Sequence, residues 1–99
     1  VINVPHAFAI GSFVDELAHA AGKDPRDFWY ELLGEGRELD HTQIGVVGNL
    51  GNYGERAGTH RISTARYRKV IEVVTAASGW GVTLPKGTAR GLSAHRCFS

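Results

Sequence analysis

At 99 residues the chain has room for one domain and a modest core. Its composition, 42% hydrophobic and 21% charged, excludes global disorder. With 11 Lys+Arg against 10 Asp+Glu the formal net charge is +1, too balanced to argue for nucleic acid or an anionic membrane as partner. A single cysteine, Cys97, excludes an intrachain disulfide, and it reads as a small hydrophobe because only His95 and Arg96 stand near it as activating groups. No apolar run approaches the about 18 residues that a spanning helix needs.

The first element follows Pro5-His6. Ile10, Phe13, Val14, Leu17 and Ala21 recur at spacings of three and four, the stripe of an amphipathic helix, with Asp15, Glu16 and His19 on its other side. Gly22 is placed to end it as a left-handed cap, so the spacing predicts a helix over 7–21. Asp24-Pro25 then begins a second helix. Asp24 serves as its cap, Pro25 suits the first helical position, and Asp27 complements the helix dipole. Phe28, Trp29, Leu32 and Leu33 form its apolar face and Gly34 stops it, giving a helix over 25–33.

Residues 35–62 show no clear periodicity, although Gly45, Gly48, Gly51 and Gly54 recur every third residue. Too few repeats and no interleaved proline exclude a collagen-like stretch. The absence of a following Gly-Lys-Ser/Thr argues against a phosphate loop. What remains is a long irregular connection, either an insertion or a surface that packs on structure outside the chain. Ser63 or Thr64 caps a third helix over 64–78, with Tyr67, Val70, Ile71, Val74 and Ala77 on one face and Gly79 at its end. The basic residues from Arg56 to Lys69, with Arg61, Arg66 and Arg68 between, read as the solvated face of that helix start. Gly91 to Phe98 alternates roughly, with Leu92 and Ala94 on one side, and predicts a C-terminal strand without partners.

The fold expected is therefore mainly α: three helices, a glycine-rich loop and a strand, together one piece of a larger α+β domain. The absence of methionine, the start at Val1 and the stop at Ser99 inside an apolar run fit an excised segment.

Residue chemistry points to no active site. His6, His19, His41, His60 and His95 include no pair at the helical spacing of a zinc site, and no Cys-x-x-Cys accompanies them. Asp15 and Glu16 are adjacent and point to different parts of a helix surface, so they do not make an acid–base pair. Asp40-His41 with Ser63 or Ser78 would need an orienting elbow that the sequence lacks.

Two blocks carry a family resemblance. One runs from Pro5-His6-Ala7-Phe8-Ala9-Ile10 through Asp15-Glu16-Leu17-Ala18 and Gly22-Lys23-Asp24-Pro25 to Phe28 and Leu32-Leu33-Gly34. The other is Arg66-Tyr67-Arg68-Lys69-Val70-Ile71-Glu72-Val73-Val74 with Gly79-Trp80-Gly81, Leu84-Pro85-Lys86-Gly87 and Arg90 to His95. In order and spacing they resemble the large, molybdopterin-binding subunit of the xanthine dehydrogenase and aldehyde oxidase family. The similar branch is that of isoquinoline 1-oxidoreductase beta subunits and membrane-bound aldehyde dehydrogenases.

The resemblance implies a parent enzyme that hydroxylates an N-heterocycle or oxidises an aldehyde, with water as oxygen source. It implies molybdopterin in that parent and none in the isolated chain. It also implies an iron-sulfur subunit or domain as partner, and a parent either cytoplasmic or periplasmic. The family's catalytic glutamate lies outside these residues, so no catalytic residue is expected here. Ile2, Asn3 and Val4 are expected to lie beside a cofactor-lining loop. Gly11 departs from the family pattern, in which glutamate is frequent. That signals either close packing against structure outside the chain or a divergent member. Without the resemblance, the chain reads as a small helical protein-interaction module with no catalytic role.

Overall fold

The structure, a computed structural model, describes residues 3–40, 43, 59 and 61–96. It is mainly helical, with three helices and one minimal sheet: α1 (Asn3–Ala20), α2 (Pro25–Leu33), β1 (Glu38–Leu39), β2 (Ile62–Ser63) and α3 (Thr64–Ala77). The helix count and order agree with the sequence pattern. No helix among the described residues is long and apolar enough to cross a membrane.

α1 begins four residues earlier than expected. Pro5 lies inside its first turn, where a missing N–H leaves no helical bond unmade. At its end Gly22 takes φ 65°, and Lys23 N–H donates to Ala18 O at 2.9 Å, closing the last turn. Asp24 caps α2 as expected, its carboxylate accepting from Arg26 N–H at 2.8 Å. Ser63 is the cap of α3, accepting from Arg66 N–H at 3.2 Å. Gly79 ends α3 with φ 67°, and Trp80 N–H reaches back to Thr75 O at 3.0 Å.

The residues that flank the middle segment are brought together. Glu38 pairs with Ser63 and Leu39 with Ile62 in an antiparallel ladder. Thr64 extends this closure: its N–H donates to Arg37 O at 2.9 Å, and its buried hydroxyl accepts from Arg37 N–H and donates to Glu35 O, both at 2.9 Å. The glycine repeat at Gly45, Gly48, Gly51 and Gly54 lies outside the described residues.

Val14, Trp29, Ile71 and Leu92 form the buried core, one residue from each helix and one from the C-terminal segment. Trp29 stacks on Tyr67 with ring centroids 5.9 Å apart. Two expectations are corrected here. First, α1 buries Gly11, Val14 and Ala18, while Ile10, Phe13 and Leu17 of the expected core stripe stay exposed. The contact face is centred on a glycine because residue 93 presses against it. Second, residues 91–96 form no strand. They run as an irregular segment over the helices, with Leu92 buried and Ala94 half-buried, so the alternation is real but no neighbouring strand supplies a ladder.

Candidate functional site

Asn3 and Val4 are both exposed on the first turn of α1, and Ile2 lies outside the described residues. Asn3 Oδ1 is 3.4 Å from His95 Nε2, so the start of α1 and the C-terminal segment meet. Ser93 Oγ adds a second contact along the same line, donating to Ala7 O at 3.4 Å. His6, His19 and His95 are exposed; His41, His60 and Cys97 lie outside the described residues. Among the described residues no three His, Cys, Asp or Glu side chains come together as metal ligands. Ser63 is engaged as a helix cap, and Ser78 Oγ donates to Thr75 O at 3.2 Å, so neither hydroxyl stands as a nucleophile.

The basic stretch before and within α3 is not uniformly solvated, which corrects the sequence reading. Arg68 is half-buried and reaches back to α2, donating from Nη1 to Tyr30 O at 2.9 Å and to Gly34 O at 2.8 Å. Its guanidinium lies 4.6 Å from the Tyr30 ring centroid. A cation on the carbonyls at the end of α2 complements its dipole and adds a second donor to Tyr30 O, which also accepts from Gly34 N–H. Arg61 pairs with Glu38 at 3.1 Å across the small sheet, and Lys69 with Glu72 at 2.8 Å along α3. These exposed pairs contribute little.

A second long-range tie joins the two sequence blocks. Trp80 Nε1–H donates to both carboxylate oxygens of Asp24, at 3.0 and 2.9 Å. The Gly-Trp turn after α3 is thereby fixed to the Asp-Pro start of α2. Sequence reasoning assigned Asp24 its cap but had no signal for a partner this distant.

Between α3 and residues 92–96 lies an open groove of about 600 Å³. Val70, Ile71, Val74 and Leu92 supply an apolar floor, beside Tyr67. Burial pushes the Tyr67 phenol above its ordinary pKa, so it stays neutral there. Apart from Tyr67, the ionisable residues lining the groove among the described residues are basic: Arg61, Arg66, His95 and Arg96. An apolar floor with a basic rim suits an apolar group that carries negative charge.

One curated relative supplies an external reference. The chain is 36% identical over 89 residues to a membrane-bound aldehyde dehydrogenase (pyrroloquinoline-quinone) of Gluconacetobacter polyoxogenes. The chain is similar to part of an oxidoreductase. The match takes in 88% of this chain but 10% of that protein, so the chain spans about a tenth of the relative's length. No protein family model and no solved structure matches the chain.

Proposed function

We propose that this chain is a helical supporting segment of the large, cofactor-binding subunit of an oxidoreductase acting on aldehydes or N-heterocycles, with the chemistry carried by other parts of that polypeptide. The observation that carries this reading is the surface of α1. Phe8 and Phe13 are 77% and 60% exposed on different sides of the helix, while Gly11, Val14 and Ala18 are buried. Large apolar side chains left exposed on more than one side of a helix fit packing inside a larger body. The similarity to an aldehyde dehydrogenase supports an oxidoreductase as that body.

For the cofactor there are two sources of inference. The relative's name carries pyrroloquinoline-quinone. The two sequence blocks resemble molybdopterin-binding subunits, and this resemblance favours the molybdenum cofactor. Among the described residues none encloses either group. Asn3 and Val4 stand exposed on one helical turn, and one carboxamide with one isopropyl group can border a cofactor loop but not hold its contents. In this reading Ile2, Asn3 and Val4 border that loop, the segment fixes the position of neighbouring elements, and no chemical step runs through these residues. An iron-sulfur subunit or domain is the proposed electron-transfer partner of the parent.

The test is cofactor and activity measurement on the longer polypeptide. Stoichiometric molybdenum together with dye-linked oxidation of aldehydes or N-heterocycles is the expected result. Stoichiometric pyrroloquinoline-quinone without molybdenum would replace the cofactor assignment. Neither cofactor and no oxidation would overturn the functional reading in favour of a small helical interaction module.

A further inference from the structure

The groove between α3 and residues 92–96 has a one-signed rim. Among the described residues no carboxylate lines it, and its ionisable groups other than Tyr67 are Arg61, Arg66, His95 and Arg96, of which Arg96 is already engaged. Arg61 already meets Glu38. The Arg66 guanidinium pairs with no carboxylate among the described residues, although it sits at the mouth of the groove. Below it Val70 and Val74 are 65% and 48% exposed, next to the fully buried Ile71, so the apolar floor continues directly into the core. Such a surface favours an apolar group that brings a negative charge to the rim and disfavours a cationic one.

One wall of the groove offers backbone groups without backbone partners among the described residues. Gly91 to His95 take part in no backbone–backbone hydrogen bond among the described residues, and they follow the in–out alternation of a strand. Open backbone N–H and C=O groups beside an apolar floor are what an added strand pairs with. A small ligand would use the floor and the charge but leave these groups unpaired; a peptide satisfies all three.

We propose that the groove seats an extended apolar segment of the longer polypeptide, paired with residues 91–95 and carrying an Asp or Glu side chain to Arg66. This rests on the reading of the chain as part of a longer polypeptide. It goes beyond that reading in naming the surface, the conformation of the occupant and its charge.

The experiment places a benzophenone amino acid at Val70 in the longer polypeptide, with a second label at exposed Lys86 as reference, and maps the photoproducts by mass spectrometry. The expected product is an intramolecular cross-link to an apolar stretch outside these 99 residues that contains Asp or Glu. R66E is expected to lower its yield several-fold, while R66K retains it. Because Arg66 is exposed, these variants leave the core intact. Cross-links to a second molecule, cross-links within these 99 residues, or a yield no higher than at Lys86 would each overturn the proposal. These outcomes do not depend on which cofactor the parent holds. A loss of molybdenum or activity assignment therefore leaves the docking result standing, and the reverse also holds.

Discussion

Gly11 is the position where one added methyl group tests the packing most sharply. A Cβ there would lie 2.1 Å from Ser93 Oγ and 2.7 Å from Ser93 Cβ. Rotating the hydroxyl away removes the first conflict. The second involves an atom fixed to the backbone, so residues 92–95 must shift from α1 and loosen Leu92 in the core. In an unobstructed helix Gly→Ala stabilises by roughly 0.5–1 kcal/mol. Forcing a methyl group into a filled contact costs about 1–3 kcal/mol. The clash wins, and G11A is expected to destabilise by about 1–2 kcal/mol, a fall in Tm of roughly 4–8 °C per kcal/mol for a domain of this size. S93G removes both obstructing atoms. In that background G11A is expected to become stabilising, by about 0.5–1 kcal/mol, because only the propensity gain remains. Urea unfolding followed by the fluorescence of Trp29 and Trp80 reads all four members of the cycle. If G11A stabilises the parent sequence, or shifts both backgrounds equally, the contact between α1 and residue 93 is not as described.

R68K keeps the charge but loses the planar fork that serves two carbonyls and covers Tyr30, and it is expected to cost about 1–2 kcal/mol in the same unfolding assay. W80F removes the N–H that reaches Asp24 together with part of the indole that packs on the core, and it is expected to cost about 1 kcal/mol less in a D24A background, where the acceptor is gone. Tyr67 gives a pH dependence. Its folded pKa is raised above the ordinary 10.0 by burial, so the folded state holds its proton more tightly than the unfolded chain. The stability it contributes is complete below pH 10.0 and falls as pH rises through the folded value. Y67F is therefore expected to flatten the alkaline limb of a stability–pH curve, and an unchanged limb would remove Tyr67 from that role.

Apart from the start of α1, the ends of the helices were legible because their signals are local. Asp24-Pro25, Gly22, Gly34, Ser63 and Gly79 each act on backbone groups within one turn. Which face of each helix is buried was not legible in the same way. α1 carries apolar residues on several sides, so hydrophobic spacing selected Ile10, Phe13 and Leu17, whereas the tightest contact uses Gly11. A glycine contributes nothing to a hydrophobic pattern, yet it allows the closest approach. α3 buries Thr64 and Thr75 beside Ile71, because both hydroxyls find backbone acceptors. Spacing does put both threonines on the face of Tyr67 and Ile71, but a polar residue type adds nothing to an apolar stripe.

The groove illustrates the same division. Tyr67, Val70, Ile71 and Val74 were legible as one helical face, and Leu92 and Ala94 as one side of an alternating segment. That the two surfaces face each other depends on the docking of residues 92–95 along α1, through Ser93 and His95. The long-range ties from Arg68 to the end of α2 and from Trp80 to Asp24 belong to the same class: each joins residues distant in sequence through a side chain that periodicity assigns to solvent or to a turn.

Whether these residues support a larger oxidoreductase is tested most directly by the intact mass of the native polypeptide that contains them, combined with its cofactor content. A polypeptide several times heavier than 10.7 kDa, holding a redox cofactor and burying Phe8 and Phe13 of α1 against labelling, is the expected result. A mature protein of about 10.7 kDa with no cofactor and with both phenylalanines open to solvent would contradict it.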